Sequence, residues 1–142
     1  ERLLAEFVRS GRGVLLGTAS FWEGVDVRGP ALSAVVIDKL PFPRPDDPIR
    51  RARAEALAAE GRDSFRDDQL PSAVLALKQG VGRLIRDPAD AGIVAICDPR
   101  LKSRGYGRVF LRSLPPMPVT EDFDEVRRFW ETIEPSPYGS SE

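Results

Sequence analysis

Gln79, Arg83 and Arg86 stand in the run QGVGRLIR, and their types and spacing suit work on a polyphosphate. Read as one helix, the run puts Gln79 and Arg83 on a shared face, four residues apart. Arg86 follows three residues later on the same side. A guanidinium is a planar fork that matches phosphate oxygens bidentately. Placed on a transferring γ-phosphate, an arginine changes rates by orders of magnitude. Gly80 and Gly82 each cost about 1 kcal/mol of helix stability against Ala, so a close backbone approach is expected beside the arginines. Charged helix faces are ordinarily solvated, and Asp87 and Asp90 offer local ion-pair partners. On the arginines alone, a salt-bridged surface stays open as a second reading.

A second group lies in GTASFWEGVDVRG, Gly17 to Gly29. Thr18 and Ser20 present hydroxyls, and Gly24 frees the backbone, which suits the phosphates of a nucleic-acid strand. Phe21 and Trp22 either stack on a base or pack beneath the loop. Glu23 and Asp26 are carboxylates in a glycine-bounded loop, where solvation or helix capping competes with a role in chemistry. Glu23, Asp26, Asp38 and Asp98 also form a set that could hold Mg²⁺ at a sheet edge. Against that stands pairing with arginine, since Arg100 and Arg104 are near.

Composition narrows the chemistry. The chain has 142 residues, room for one domain with a proper core. It contains no histidine, which removes imidazole acid–base catalysis and most zinc sites. Its one cysteine, Cys97, excludes an internal disulfide. Cys97 ends the apolar run GIVAIC and reads as a buried strand thiol rather than a nucleophile. Lys and Arg number 21 and Asp and Glu 22, a net charge of −1. Near neutrality argues against a clamp held on nucleic acid by bulk charge but leaves room for a local basic stripe. No signal peptide and no bilayer-length apolar run are found, so a soluble intracellular protein with no membrane partner is expected.

These residues need elements to hold them. The spacing of Leu3, Leu4, Phe7 and Val8 predicts a helix over Arg2 to Arg9. Val14 to Ala19 reads as a first buried strand and Ala34 to Asp38 as a second. Leu40 to Pro45 is an extended proline loop. Pro48 starts a helix that ends at Gly61. Arg62 to Asp68 is polar, anchored by Phe65. A longer helix is predicted from about Pro71 to Arg86, a third strand over Gly92 to Cys97, and a fourth over Gly107 to Leu111. A final helix over Glu121 to Glu134 carries Phe123, Val126, Phe129, Trp130 and Ile133. Strands alternating with helices predict an α/β fold, a parallel sheet with helices on both faces. Ligands of such sheets bind beyond the carboxyl ends of the strands. The loop after the first strand, the proline loop and Asp98-Pro99-Arg100 all fall there.

Three blocks in this order, SFWEGVDVRG, VVIDKLPFPRPDDP and LKQGVGRLIRDPADAGIVAICDPR, resemble the C-terminal motor domain of the DinG/XPD-like superfamily 2 DNA helicases. The bacterial DinG and YoaA branch is the closest match, from about Gly13 to Pro118. The resemblance implies a RecA-like domain of the P-loop NTPase type. It also implies that SFWEGVD is helicase motif V, with Glu23, Gly24 and Asp26 toward ATP and Thr18, Ser20 and Trp22 toward single-stranded DNA. QGVGRLIR would be motif VI, with Gln79 near the γ-phosphate and its attacking water and Arg83 and Arg86 as arginine fingers. The proline loop, Leu40 to Pro48, is a hallmark of the branch and would lie near the DNA path. A bacterial, nucleoid-associated location in the cytoplasm is implied as well.

A complete motor of this kind also needs a loop of the form GxxxxGK followed by Ser or Thr, and an acidic Mg²⁺ motif. Neither is in this sequence. The family carries them, and in many members the cysteines of an iron–sulfur cluster, in the N-terminal motor domain. ATP and Mg²⁺ would therefore be bound jointly with that domain of the same polypeptide. Residues 1–134 are expected to form the C-terminal RecA-like domain, truncated at its N-terminal side and lacking its first strand and motif IV. Residues 135–142 are expected to be a disordered tail. The alternative is a non-catalytic nucleic-acid-binding or protein-interaction module.

Overall fold

The computed structural model of the chain describes residues 2–11, 13–18, 32–44, 46–83 and 91–133. Helix α1 spans Arg2–Ser10 and strand β1 spans Ala34–Ile37; α2 covers Pro48–Ala59 and α3 covers Leu70–Val81. Strand β2 spans Ile93–Ile96, followed by α4 (Arg100–Ser103), α5 (Gly107–Ser113) and α6 (Phe123–Ile133). The two strands pair in parallel, Ala34 opposite Ile93 and Ile37 opposite Ile96. They are joined by a long connection that contains α2 and α3, as a parallel pair requires. This is the α/β arrangement expected from the alternation of strand and helix patterns.

Period-two alternation divides the strand side chains. Val35, Ile37, Val94 and Ile96 belong to the core, with Ala73, Leu77 and Val81 of α3 and Phe110 of α5. Ala34 and Val36 point the other way, and Val36 is 70% exposed. Cys97 has the parity of Ile93 and Ala95, and it is exposed. The expectation of a buried thiol is therefore corrected: pairing of strand residues ends at Ile96, and Cys97 falls on the sheet face opposite the core.

Local chemistry explains the helix boundaries. The Asp47 carboxylate accepts a hydrogen bond from the Ile49 N–H at 3.0 Å, and Pro48 occupies the first helical position of α2. Gly61 takes φ +72° just beyond that helix, a conformation that costs glycine little. The polar stretch after it is not a plain connection. Asp63 accepts from the N–H groups of Phe65 and Arg66 and starts a π-helical turn, Phe65–Gln69, that runs directly into α3. The anchoring role read for Phe65 holds: its ring stacks on Phe42 at 5.8 Å. Asp68 ties this turn to α2 through Arg50 and Arg53, each at 3.2 Å.

Three expectations are corrected. The Gly107 to Leu111 segment is helix α5, not a fourth strand. Its apolar residues recur at helical spacing, Tyr106, Phe110 and Leu114 against the core, and Val109 is its sole β-branched residue. Residues 14–18 have no regular secondary structure and no strand pairing to any described residue, with Val14 and Leu16 exposed. A strand is defined by its ladder, and no described partner supplies one. Helix α3 ends at Val81 rather than near Arg86. After it the Arg83 N–H bonds to the Gly80 carbonyl at 3.2 Å, a three-residue turn in place of the α-helical spacing, at the point where two glycines weaken the helix. The final helix runs from Phe123 to Ile133, close to its predicted bounds. No helix among the described residues is long and apolar enough to cross a membrane.

Candidate functional site

The carboxyl ends of β1 and β2 lie side by side, and one carboxylate joins the loops that leave them. Asp98, two residues past β2, is 5% exposed. Its Oδ2 accepts from the backbone N–H of Leu40, in the loop after β1, at 2.8 Å. Its Oδ1 accepts from the Arg100 N–H at 2.9 Å. The Arg100 guanidinium closes the set, donating from Nε to both oxygens at 3.0 Å and from Nη2 to Oδ2 at 2.6 Å. The guanidinium hydrogen bonds hold the Asp98 carboxyl far below the usual carboxylate range. Burial opposes them, and the N–H groups of Leu40 and Arg100 add to them. The same carboxylate raises the Arg100 pKa.

On its other side the Arg100 guanidinium carbon lies 5.3 Å from the centre of the Phe42 ring, a cation–π distance. Phe42 sits edge-on to Tyr106 at 5.5 Å and to Phe110 at 5.6 Å. An aromatic cluster thus pins the first half of the proline loop to α5 and to the turn before α3. The loop's rigidity was legible from its prolines, but the cluster was not. Its residues are scattered over 69 positions, from Phe42 to Phe110, and only their contacts unite them. Asp98 does not serve as a cation ligand, because both of its oxygens are engaged by Leu40 and Arg100. Pairing with arginine is what the structure bears out there. Among the described residues no three of Asp, Glu and Cys converge as a metal site, so the described residues do not fit a bound Mg²⁺ by themselves.

Of the residues singled out for chemistry, Thr18, Gln79 and Arg83 fall within the described chain, as do Asp98 and an exposed Asp38. Gln79 is exposed on the last turn of α3, while its neighbours Gly80 and Val81 are buried. Arg83 follows the helix and is half-buried. Arg83 thus stands beyond the last residue of the helix that carries Gln79, which corrects the reading of one helix through Arg83, while Leu84 to Arg86 lie outside the described residues. Gln79 and Arg83 flank the helix end on a tight turn instead. Thr18 is exposed in the irregular segment 13–18. Ser20, Trp22, Glu23, Gly24, Asp26 and Arg86 lie outside the described residues, as does the tail 135–142.

Comparison with known proteins adds the lineage of this arrangement. The model of the helicase C-terminal domain family matches residues 1–117. "ATP-dependent DNA helicase YoaA" of Escherichia coli is 57% identical over 128 residues, which cover 90% of this chain and 20% of that protein. "ATP-dependent helicase DinG" of Mycobacterium tuberculosis is 46% identical over 125 residues, 88% of this chain and 19% of the relative. "3'-5' exonuclease DinG" of Bacillus subtilis is 45% identical over 123 residues, 87% of this chain and 13% of the relative. The chain spans a fifth or less of the length of these relatives.

Proposed function

The chain belongs to the helicase C-terminal domain family, and from that premise we propose that it is the second motor domain of an ATP-dependent DNA helicase of the DinG and YoaA kind. In this reading ATP binds in a cleft between this domain and an N-terminal motor domain of the same polypeptide. Gln79 orients the attacking water at the γ-phosphate. Arg83 and Arg86 stabilise the charge that develops there, an electrostatic contribution made in place before the reaction begins. Glu23, Gly24 and Asp26 meet the nucleotide side of the cleft. Thr18, Ser20 and Trp22 hold single-stranded DNA, so that hydrolysis moves the grip along the strand. Mg²⁺ accompanies ATP and takes its protein ligands from the other domain. One cysteine cannot hold an iron–sulfur cluster, so any cluster belongs to that domain too. A DNA substrate places the protein in the bacterial cytoplasm with the nucleoid.

The observation that carries this reading is the family match over residues 1–117, which takes in all three sequence blocks in order. The geometry supports it in one respect: an exposed Gln79 and a half-buried Arg83 bracket the turn that ends α3, at which Gly82 is exposed. The direct experiment is ATP hydrolysis by the full-length protein with and without single-stranded DNA. The helicase reading expects DNA to stimulate hydrolysis at least about tenfold, and Gln79→Ala to remove most of that stimulated rate. A full-length protein whose hydrolysis ignores DNA refutes it.

A further inference from the structure

Between Pro99 and Thr120 the chain carries Arg100, Lys102, Arg104, Arg108 and Arg112 and no Asp or Glu. The protein as a whole is close to neutral, with a net charge of −1, so this run is a local excess of positive charge. The structure divides its five cations into two kinds. Arg100 is committed to Asp98 and the Phe42 ring. Lys102 pairs with Glu121. Arg104, Arg108 and Arg112 are exposed and meet no carboxylate among the described residues.

These three charges cannot be turned inward. The opposite side of α5 is fixed by Phe110, fully buried in the core, and by Gly107. A Cβ at Gly107 would lie 1.8 Å from the Leu101 carbonyl oxygen, so the start of α5 is seated directly on α4. Arg108 and Arg112 are four residues apart on the helix and share its outer face, about 6 Å apart along the axis. Arg104 precedes them at the α4–α5 corner. The whole segment leaves the carboxyl end of β2, the edge at which open α/β sheets receive ligands. Guanidinium groups are suited to phosphate oxygens, which they can meet bidentately.

We propose that Arg104, Arg108 and Arg112 form a further contact surface for the sugar–phosphate backbone of single-stranded DNA, indifferent to base sequence. The proposal rests on the DNA-helicase reading. Its occupant follows from charge: a regular polyanion complements an uncompensated arginine row, and contacts to phosphates position a strand without reading it. An acidic protein segment is the competing occupant and is separated from DNA by the test.

The test uses the full-length protein and a labelled oligothymidine, with affinity measured across a series of salt concentrations. Each phosphate contact on a single strand adds about 0.7 to the slope of log affinity against log salt. Replacing all three arginines by alanine is therefore expected to reduce that slope by about 2 and to weaken binding roughly a hundredfold at ~100 mM salt. DNA-free ATP hydrolysis and thermal melting should be unchanged, since all three side chains are exposed. Arg51→Ala, which removes an exposed arginine of α2 that already faces Glu55, is expected to leave the slope alone. A triple variant with the parental slope and affinity overturns the proposal and assigns the row to a protein partner or to solvent. An equal loss of slope in Arg51→Ala also overturns it, by showing that net charge alone sets binding. If the parent neither binds DNA nor is stimulated by it, the helicase reading itself has failed, a result distinct from either of these.

Discussion

Asp98→Ala tests how the two strand-end loops are held together. The substitution removes the acceptor of a buried backbone N–H, that of Leu40, a residue only 3% exposed. An orphaned buried donor costs about 1–3 kcal/mol. The variant also loses the guanidinium fork of Arg100. That side chain is 40% exposed, so water recovers much of its solvation, and about 1 kcal/mol is a fair figure for this part. The expected loss is about 3 kcal/mol, a large share of the roughly 5–15 kcal/mol that hold a domain of this kind. Urea denaturation of the chain measures it, and melting should fall by roughly 10 °C. The pH dependence has a definite sign. The folded pKa of Asp98 is lowered, so its contribution is complete above the unfolded value of about 3.9 and fades as pH falls toward the folded value. The gap between parent and variant should be constant at neutral pH and narrow below about pH 4. A loss under about 1 kcal/mol, or a gap that widens in acid, refutes this description of the latch.

Gly107→Ala should be among the most damaging single substitutions, because a Cβ there would lie 1.8 Å from the Leu101 carbonyl oxygen and backbone cannot yield as a side chain does. Loss of several kcal/mol or failure to accumulate as folded protein is expected, checked by circular dichroism and soluble yield. Asp68→Ala should cost only about 1–2 kcal/mol, since its partners Arg50 and Arg53 are partly exposed. Urea titration of that variant should show a lower midpoint with an unchanged slope.

The sequence made some parts of this molecule legible because they depend on local pattern. β1, β2, α2 and the final helix follow from β-branched runs, from Pro48 after Asp47, and from apolar spacing. The proline loop was legible because proline fixes its own backbone. The failures have physical causes. The Gly107 to Leu111 segment is short and apolar, and periodicity over so few residues does not separate strand from helix; the seat of Gly107 on Leu101 decides it, and that contact is tertiary. The exposure of Cys97 is not legible because burial of a strand residue depends on which face is covered, which one chain's pattern does not reveal. The end of α3 at Val81 is not legible because the spacing of the arginines in QGVGRLIR suits one continuous helix, whereas Gly80 and Gly82 let the backbone tighten into a turn. At the candidate site, Gln79 and Arg83 were found by residue type, but their relation to each other is set by that turn. The Asp98–Arg100 pair was visible as a two-residue spacing; its third member, the Leu40 N–H, lies 58 residues away.

Arg86→Ala in the full-length protein addresses the central claim most directly, with single-turnover ATP hydrolysis measured on saturating single-stranded DNA. An arginine that stabilises charge at the γ-phosphate accounts for about 10³-fold or more in rate. The variant should therefore lose hydrolysis by that order while nucleotide affinity changes far less and melting stays at the parental temperature. Hydrolysis within a few-fold of the parent would mean that the Arg86 guanidinium does not act on the γ-phosphate, and its assignment as an arginine finger of QGVGRLIR would be wrong.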